Sequence, residues 1–121
     1  MTDPRHELGR RAEEATARWL ADAGWQILER RWRTPHGELD LVGTDPAGVL
    51  VAIEVKGRRS ARAGSAIDAV DVRRLHRLRM ALAAYARTSA RAWPDLRIDL
   101  VTVEQVDGSW RLTRLPVIDA W

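Results

Sequence analysis

Apolar residues recur along this chain with two alternating periods. From residue 5 to about 23, Leu8, Ala12, Ala15, Trp19 and Ala23 are spaced by three and four, which predicts a helix with one apolar face. Glu13 falls at the flank of that face and Glu14 further toward solvent, and Gly24 is a stop signal. Trp25 to Arg33 changes to period two, with Trp25, Ile27 and Glu29 set against Gln26 and Leu28. Thr34-Pro35-His36-Gly37 is a turn. Glu38 to Gly43 is a second strand, with Glu38, Asp40 and Val42 on one face and Leu39 and Leu41 on the other. Asp45-Pro46-Ala47-Gly48 is a hairpin loop.

Val49 to Lys56 is a third strand. Val49, Val51, Ile53 and Val55 make a wholly apolar face that must pack on a helix. The opposite face begins with Leu50 and Ala52 and ends with Glu54 and Lys56, so its charges gather at one end of a buried strand. A basic loop follows, Gly57 to Gly64, with Arg58, Arg59 and Arg62. Ile67 to about Thr88 reads as a long helix. Leu75, Leu78, Leu82 and Tyr85 share one side of it, Arg73 and Arg77 another, and Arg74 lies at the border of the apolar stripe. Pro94-Asp95 breaks the pattern before a fourth strand, Arg97 to Val106. A turn at Asp107-Gly108 and a fifth strand from Trp110 to Leu115 complete it. The order αβββαββ predicts an α/β fold: a mixed sheet of about five strands flanked by helices, with a meander and then a helical crossover. Residues 1–121 show no repeat and no linker and read as a single domain.

Composition sharpens interest in the third strand. Of the 20 basic side chains, 19 are arginine, and the exception is Lys56. Arginine is a permanently charged planar fork, whereas lysine is a compact point charge that orients a water or shifts its pKa. Lys56, Glu54 two residues before it and Asp40 upstream form Asp…Glu-x-Lys, the minimal set for a metal-dependent phosphodiesterase. Same-face residues on neighbouring strands lie about 5 Å apart. Two carboxylates that close drive one toward protonation unless a cation intervenes. Mg²⁺ or Mn²⁺ resolves the conflict: two carboxylates and the Val55 carbonyl leave coordination positions for phosphate and water. Lys56 would orient that water or stabilise developing charge. The plain reading of the same residues is an ion pair at a strand end beside an Asp.

Other candidates carry two readings each. Glu13 is either an acid of the site or a solvated helix residue. Glu38 suits a salt bridge at the sheet edge, and His36 lies in a turn. Arg58, Arg59, Arg62, Arg73, Arg74 and Arg77 suit phosphate contact or a solvated surface. Of the six tryptophans, Trp19 and Trp25 fit core positions, while Trp32 and Trp93 are the better exposed candidates for stacking on bases.

The remaining composition sets limits. The chain has no cysteine, which excludes disulfides and thiolate zinc sites. It has neither an apolar signal core at the start nor a run of membrane-spanning length, so cytoplasm is the default and no membrane partner is expected. The net charge is +3 and the pI about 10.5. Such a surface suits nucleic acid, and a base-composition bias toward arginine produces the same numbers.

Several motifs together bring a resemblance. Gly9-Arg10-Arg11-Ala12-Glu13-Glu14-Ala15, Gly24-Trp25-x-Ile27-Leu28, Gly37-Glu38-Leu39-Asp40-Leu41, Ile53-Glu54-Val55-Lys56-x-Arg58, Gly64-Ser65-Ala66 and Arg97-x-Asp99 resemble the YraN family. That is a bacterial group within the PD-(D/E)xK nuclease superfamily, similar to Holliday-junction resolvases. The resemblance runs from residue 5 to 121. It implies a restriction-endonuclease-like fold, with Asp40, Glu54 and Lys56 at the catalytic positions and Glu13 as the first-helix acid. It also implies a Mg²⁺-dependent endonuclease acting on branched or structured DNA. The alternative on the same scaffold is a catalytically silent nucleic-acid-binding or adaptor module. Resolvase-like relatives cut as symmetric dimers, which raises the question of a homodimer, and the apolar residues here single out no face for one. Three departures stand out: Ala12 replaces a common glycine, Arg74 a usual lysine, and the chain ends Ala120-Trp121 in place of Ala-Phe.

Overall fold

The structure is a computed structural model of the chain and describes residues 3–58 and 72–117. The elements are α1 (Pro4–Asp22), β1 (Gln26–Thr34), β2 (Gly37–Thr44), β3 (Leu50–Arg58), α2 (Val72–Thr88), β4 (Leu96–Val106) and β5 (Ser109–Val117). The order αβββαββ is that expected from the apolar periods. The strands form one five-stranded sheet in chain order. Neighbours are antiparallel, except that β3 and β4 run parallel across the α2 crossover. The expected helix start at Ile67 lies outside the described residues, where α2 begins at Val72.

Alternation along β3 distributes its side chains between two cores. Val51 and Ile53, with Val49 and Val55 beside them, pack with Ala12, Ala17 and Leu20 of α1. Leu50 and Ala52 pack with Leu78, Ala81 and Leu82 of α2, and Leu75 and Tyr85 extend that core. The sheet is therefore covered on both faces, and the central strands β2, β3 and β4 each contribute side chains to both cores.

The buried stripe of α1 is rotated from the one the spacing suggests. Ala12, Thr16, Ala17 and Leu20 are buried, whereas Trp19 is 37% exposed and Ala23 is exposed. Close approach of helix and strand explains the choice of small residues. A Cβ on Gly57 would lie 3.2 Å from the Ala12 Cβ and 3.5 Å from the Leu8 Cγ, so α1 is seated against the end of β3. Thr16 tolerates burial because its hydroxyl donates to the Ala12 carbonyl at 2.7 Å.

Two further expectations are corrected. Trp32 and Trp93 are not open stacking platforms, because both pack against the α2 core. Trp32 meets the Tyr85 ring edge-on at 5.1 Å between centroids. Leu39 does not share a face with Leu41: Leu39 joins the α2 core and Leu41 the α1 core. The alternation breaks at the residue between them, Asp40, where the β2–β3 ladder has already stopped.

Candidate active site

The β2–β3 ladder runs from the pair Thr44–Leu50 to Leu41–Ile53 and goes no further. Beyond that pair a side chain replaces the backbone rung: the Val55 N–H donates to Asp40 Oδ2 at 2.9 Å. A residue's N–H and C=O leave a strand on the same edge, as the doubly bonded pairs of an antiparallel ladder require. The Val55 carbonyl therefore faces the β2 side of β3, toward Asp40.

Glu54 is buried, on the α2 side of β3. The Arg74 guanidinium, reaching down from the first turn of α2, donates to its Oε1. Burial above all, and then the Glu54 charge, push the Asp40 carboxyl up to about 7. Glu13 adds to that push, while the Val55 N–H and the Arg74 charge oppose it. Glu54 and Glu13 thus both act electrostatically on Asp40, from two further elements. The close seating of Ala12 on Gly57 is what brings its neighbour Glu13 to this end of the sheet.

Lys56 shares the Glu54 face at period two, and it is exposed at the open end of β3. Arg74 and Arg77 line a small hollow of about 160 Å³ with His36, Glu38 and Glu54. Arg73 is exposed on α2. Arg58 closes β3, and Arg59 and Arg62 lie outside the described residues. Of the nucleic-acid candidates, Arg74 and Arg77 are therefore the ones placed beside the acids.

This donor set suits a hard divalent cation. Two carboxylates interact unfavourably at the end of a strand pair, with a backbone carbonyl on the same edge. Among the described residues, no three His, Asp or Glu side chains form an all-side-chain cage.

Comparison with known sequences places the chain. The sequence model described as Uncharacterised protein family UPF0102 matches residues 12–103, a span that holds Glu13, Asp40, Glu54, Lys56 and Asp99. The chain belongs to the UPF0102 family. It is 38% identical to a UPF0102 protein of Syntrophomonas wolfei over 109 residues, covering 90% of this chain and 94% of that one. Identity to a UPF0102 protein of Deinococcus radiodurans is 41% over 110 residues, covering 90% and 89% of the two chains. A UPF0102 protein of Rhodococcus jostii is 38% identical over 96 residues, covering 79% and 80%.

The structure of this UPF0102 chain also gives roles to groups that the sequence reading left without one. Arg31 stands opposite Asp40, between the pairs Arg30–Leu41 and Trp32–Leu39, and its Nε donates to Glu13 Oε2 at 2.8 Å. Its φ of 51° is in the left-handed region although it lies within β1. Counting outward from Thr34–Gly37, the pair that closes the hairpin, would have found it. The second group is an ionic cluster beneath Trp25. Fully buried Asp99 accepts from Arg97 at 2.7 and 3.0 Å and from Arg114 at 2.8 Å. Arg97 also donates to Asp45 at 2.9 Å. Asp45 in turn accepts the Ala47 and Val49 N–H groups at 2.9 and 3.0 Å, which fixes the β2–β3 loop. Among the described residues, no helix is long and apolar enough to cross a membrane.

Proposed function

We propose that this UPF0102 chain is a metal-dependent endonuclease with a restriction-endonuclease-like fold, hydrolysing phosphodiester bonds in branched or structured DNA. The observation that carries the reading is the Asp40–Glu54 pair at the point where β2 and β3 part. There the Asp40 carboxyl is raised to about 7, a cost that a cation would remove. Asp40, Glu54 and the Val55 carbonyl would hold Mg²⁺ or Mn²⁺. When bound, the ion neutralises charge on the phosphoryl oxygens and acidifies water.

The other roles fall to this chain's own side chains. Lys56 holds the attacking water or the oxygen on which charge develops, and its ammonium does this as a point donor. The water's oxygen bonds to phosphorus, the bond to the sugar oxygen breaks, and that oxygen leaves with a proton. Glu13 orients Arg31 beside Asp40. Arg73, Arg74 and Arg77 on α2 are candidates to contact the DNA backbone, as are Arg58, Arg59 and Arg62, which follow Lys56 in the sequence.

A second reading rests on Arg74. Its guanidinium already bonds Glu54, so the acid is neutralised without metal, as in a nucleic-acid-binding module that never cleaves. Two measurements separate the readings. The first is a cleavage screen over duplex, flap, single-strand and four-way-junction DNA with Mg²⁺ or Mn²⁺. The second is a calorimetric titration of the same ions. Cleavage with metal binding supports the endonuclease; DNA binding with neither supports the silent module.

A further inference from the structure

We propose that a nucleic-acid strand enters the site along a second basic wall, the groove between α1 and the β1–β2 hairpin, where Arg10 and Arg33 take its phosphates. The proposal rests on the endonuclease reading of Asp40 and Glu54 and adds a binding surface on the side opposite α2. The groove measures about 720 Å³ and is lined by His6, Arg10, Arg31 and Arg33 with Glu13 and Glu38. That volume is in the range of sites for organic ligands and exceeds what a small ion needs.

Three observations converge on a phosphate chain as the occupant. The first is continuity. Glu38 lines this groove and also the smaller hollow that holds Glu54, Arg74 and Arg77. Glu38 is the residue the two linings share and lies two residues from Asp40 on β2, so a strand spanning both depressions would pass close to the acidic pair. The second is the way the guanidinium groups are held. Arg31 bonds Glu13 through Nε at 2.8 Å and Arg33 bonds Glu38 through Nε at 3.1 Å. Each carboxylate fixes the inner nitrogen of a fork, and among the described residues the outer pair of nitrogens has no hydrogen-bond partner, the geometry that grips phosphate. Arg10, on the opposite wall, has no acidic partner among the described residues.

The third observation is strain. A left-handed, non-glycine residue costs on the order of 1–2 kcal/mol, and Arg31 adopts that conformation inside a strand. An exposed ion pair returns only about 0–1 kcal/mol. The Glu13 ion pair alone therefore does not offset the conformation, and strain kept beside acidic side chains is the pattern of a residue held ready for a ligand.

The test is fluorescence anisotropy in EDTA with a labelled single strand of about 20 nucleotides and a four-way junction, at several salt concentrations. Wild type is compared with Arg10→Ala/Arg33→Ala and with a charge-matched control, Arg11→Ala/Arg18→Ala, on the part of α1 outside the groove. The groove variant should bind about tenfold or more weakly near 0.1 M salt. Its slope of log K against log salt should fall by roughly 1.4–1.8, the value for two phosphate contacts. The control should stay within about twofold of wild type, as expected for arginines that touch no phosphate. A groove variant indistinguishable from the control overturns the proposal, and if wild type still cleaves, the endonuclease reading stands without it. If wild type binds no nucleic acid, both fall. If the groove variant loses binding and wild type never cleaves, the groove stands and the endonuclease reading falls.

Discussion

Asp40 substitutes its side chain for the missing backbone rung between β2 and β3, accepting the Val55 N–H at 2.9 Å where the ladder has ended at Leu41–Ile53. One carboxylate therefore has a structural task beside the metal-binding one proposed for it, and the two can be separated by substitution. Asp40→Asn keeps an acceptor for Val55 but removes the charge. Asp40→Ala removes both and leaves a half-buried amide unpaired, at a cost of about 1–3 kcal/mol. Urea unfolding should rank Asp40→Ala below wild type and Asp40→Asn at or above it, while both variants lose Mg²⁺-dependent nicking to a similar extent.

The raised Asp40 pKa also fixes a pH dependence. The carboxyl titrates near 3.8 when unfolded and at about 7 when folded. Between those values the folded chain holds a proton that the unfolded chain has released. Unfolded protein binds fewer protons, so this group's contribution to metal-free stability is full below about pH 4 and declines as pH rises toward 7. The difference between denaturant midpoints at pH 5 and pH 8 should be larger in wild type than in Asp40→Asn. An equal difference in the two proteins would mean that Asp40 is not the titrating group.

Gly57 governs the distance between α1 and β3. In Gly57→Ala the new methyl group would meet the Ala12 Cβ at 3.2 Å. Helix and strand must move apart by a few tenths of an ångström, at a cost of about 1–3 kcal/mol for overpacking. Glu13 moves with the helix. Chemical shifts of Glu13 and Arg31 should change together, and any cleavage should slow more than stability alone explains at temperatures where the variant is folded.

Asp99 offers a contrasting test, because its role is mechanical. Asp99→Ala leaves Arg97 and Arg114 without their shared carboxylate. A fully buried pair loses about 3–5 kcal/mol when one partner is removed. Arg97 and Arg114 retain side-chain exposures of 24% and 35%, so roughly 2–3 kcal/mol is the expected loss. DNA affinity measured well below the melting temperature should stay within about twofold of wild type, as for any residue outside the contact surface.

The elements of this fold were legible because β3 displays both periods of its environment: one face wholly apolar, the other changing from Leu50 and Ala52 to Glu54 and Lys56. The crossover followed from the helical spacing of Leu75, Leu78, Leu82 and Tyr85. Leu39 and Trp19 were misplaced for a common reason, since periodicity assumes an unbroken ladder and a helix at ordinary distance from its sheet. Asp40 interrupts the first, and the contact between Ala12 and Gly57 alters the second. Arg31 escaped notice because its importance lies in register and a single backbone dihedral, not in residue type. The Asp45–Arg97–Asp99–Arg114 cluster joins residues far apart in sequence, and only the pairing of β4 with β3 and β5 brings them together.

The most direct test compares wild type with Asp40→Asn in one assay, after equal DNA binding has been verified in EDTA. Nicking of a four-way junction and a flap substrate is then followed on addition of Mg²⁺ or Mn²⁺. The account predicts metal-dependent nicking by wild type and a loss of about 10²-fold or more in Asp40→Asn, as when a group stabilising transition-state charge is removed. Wild type that binds DNA and leaves every substrate intact, or an Asp40→Asn variant that cuts as fast as wild type, would contradict it.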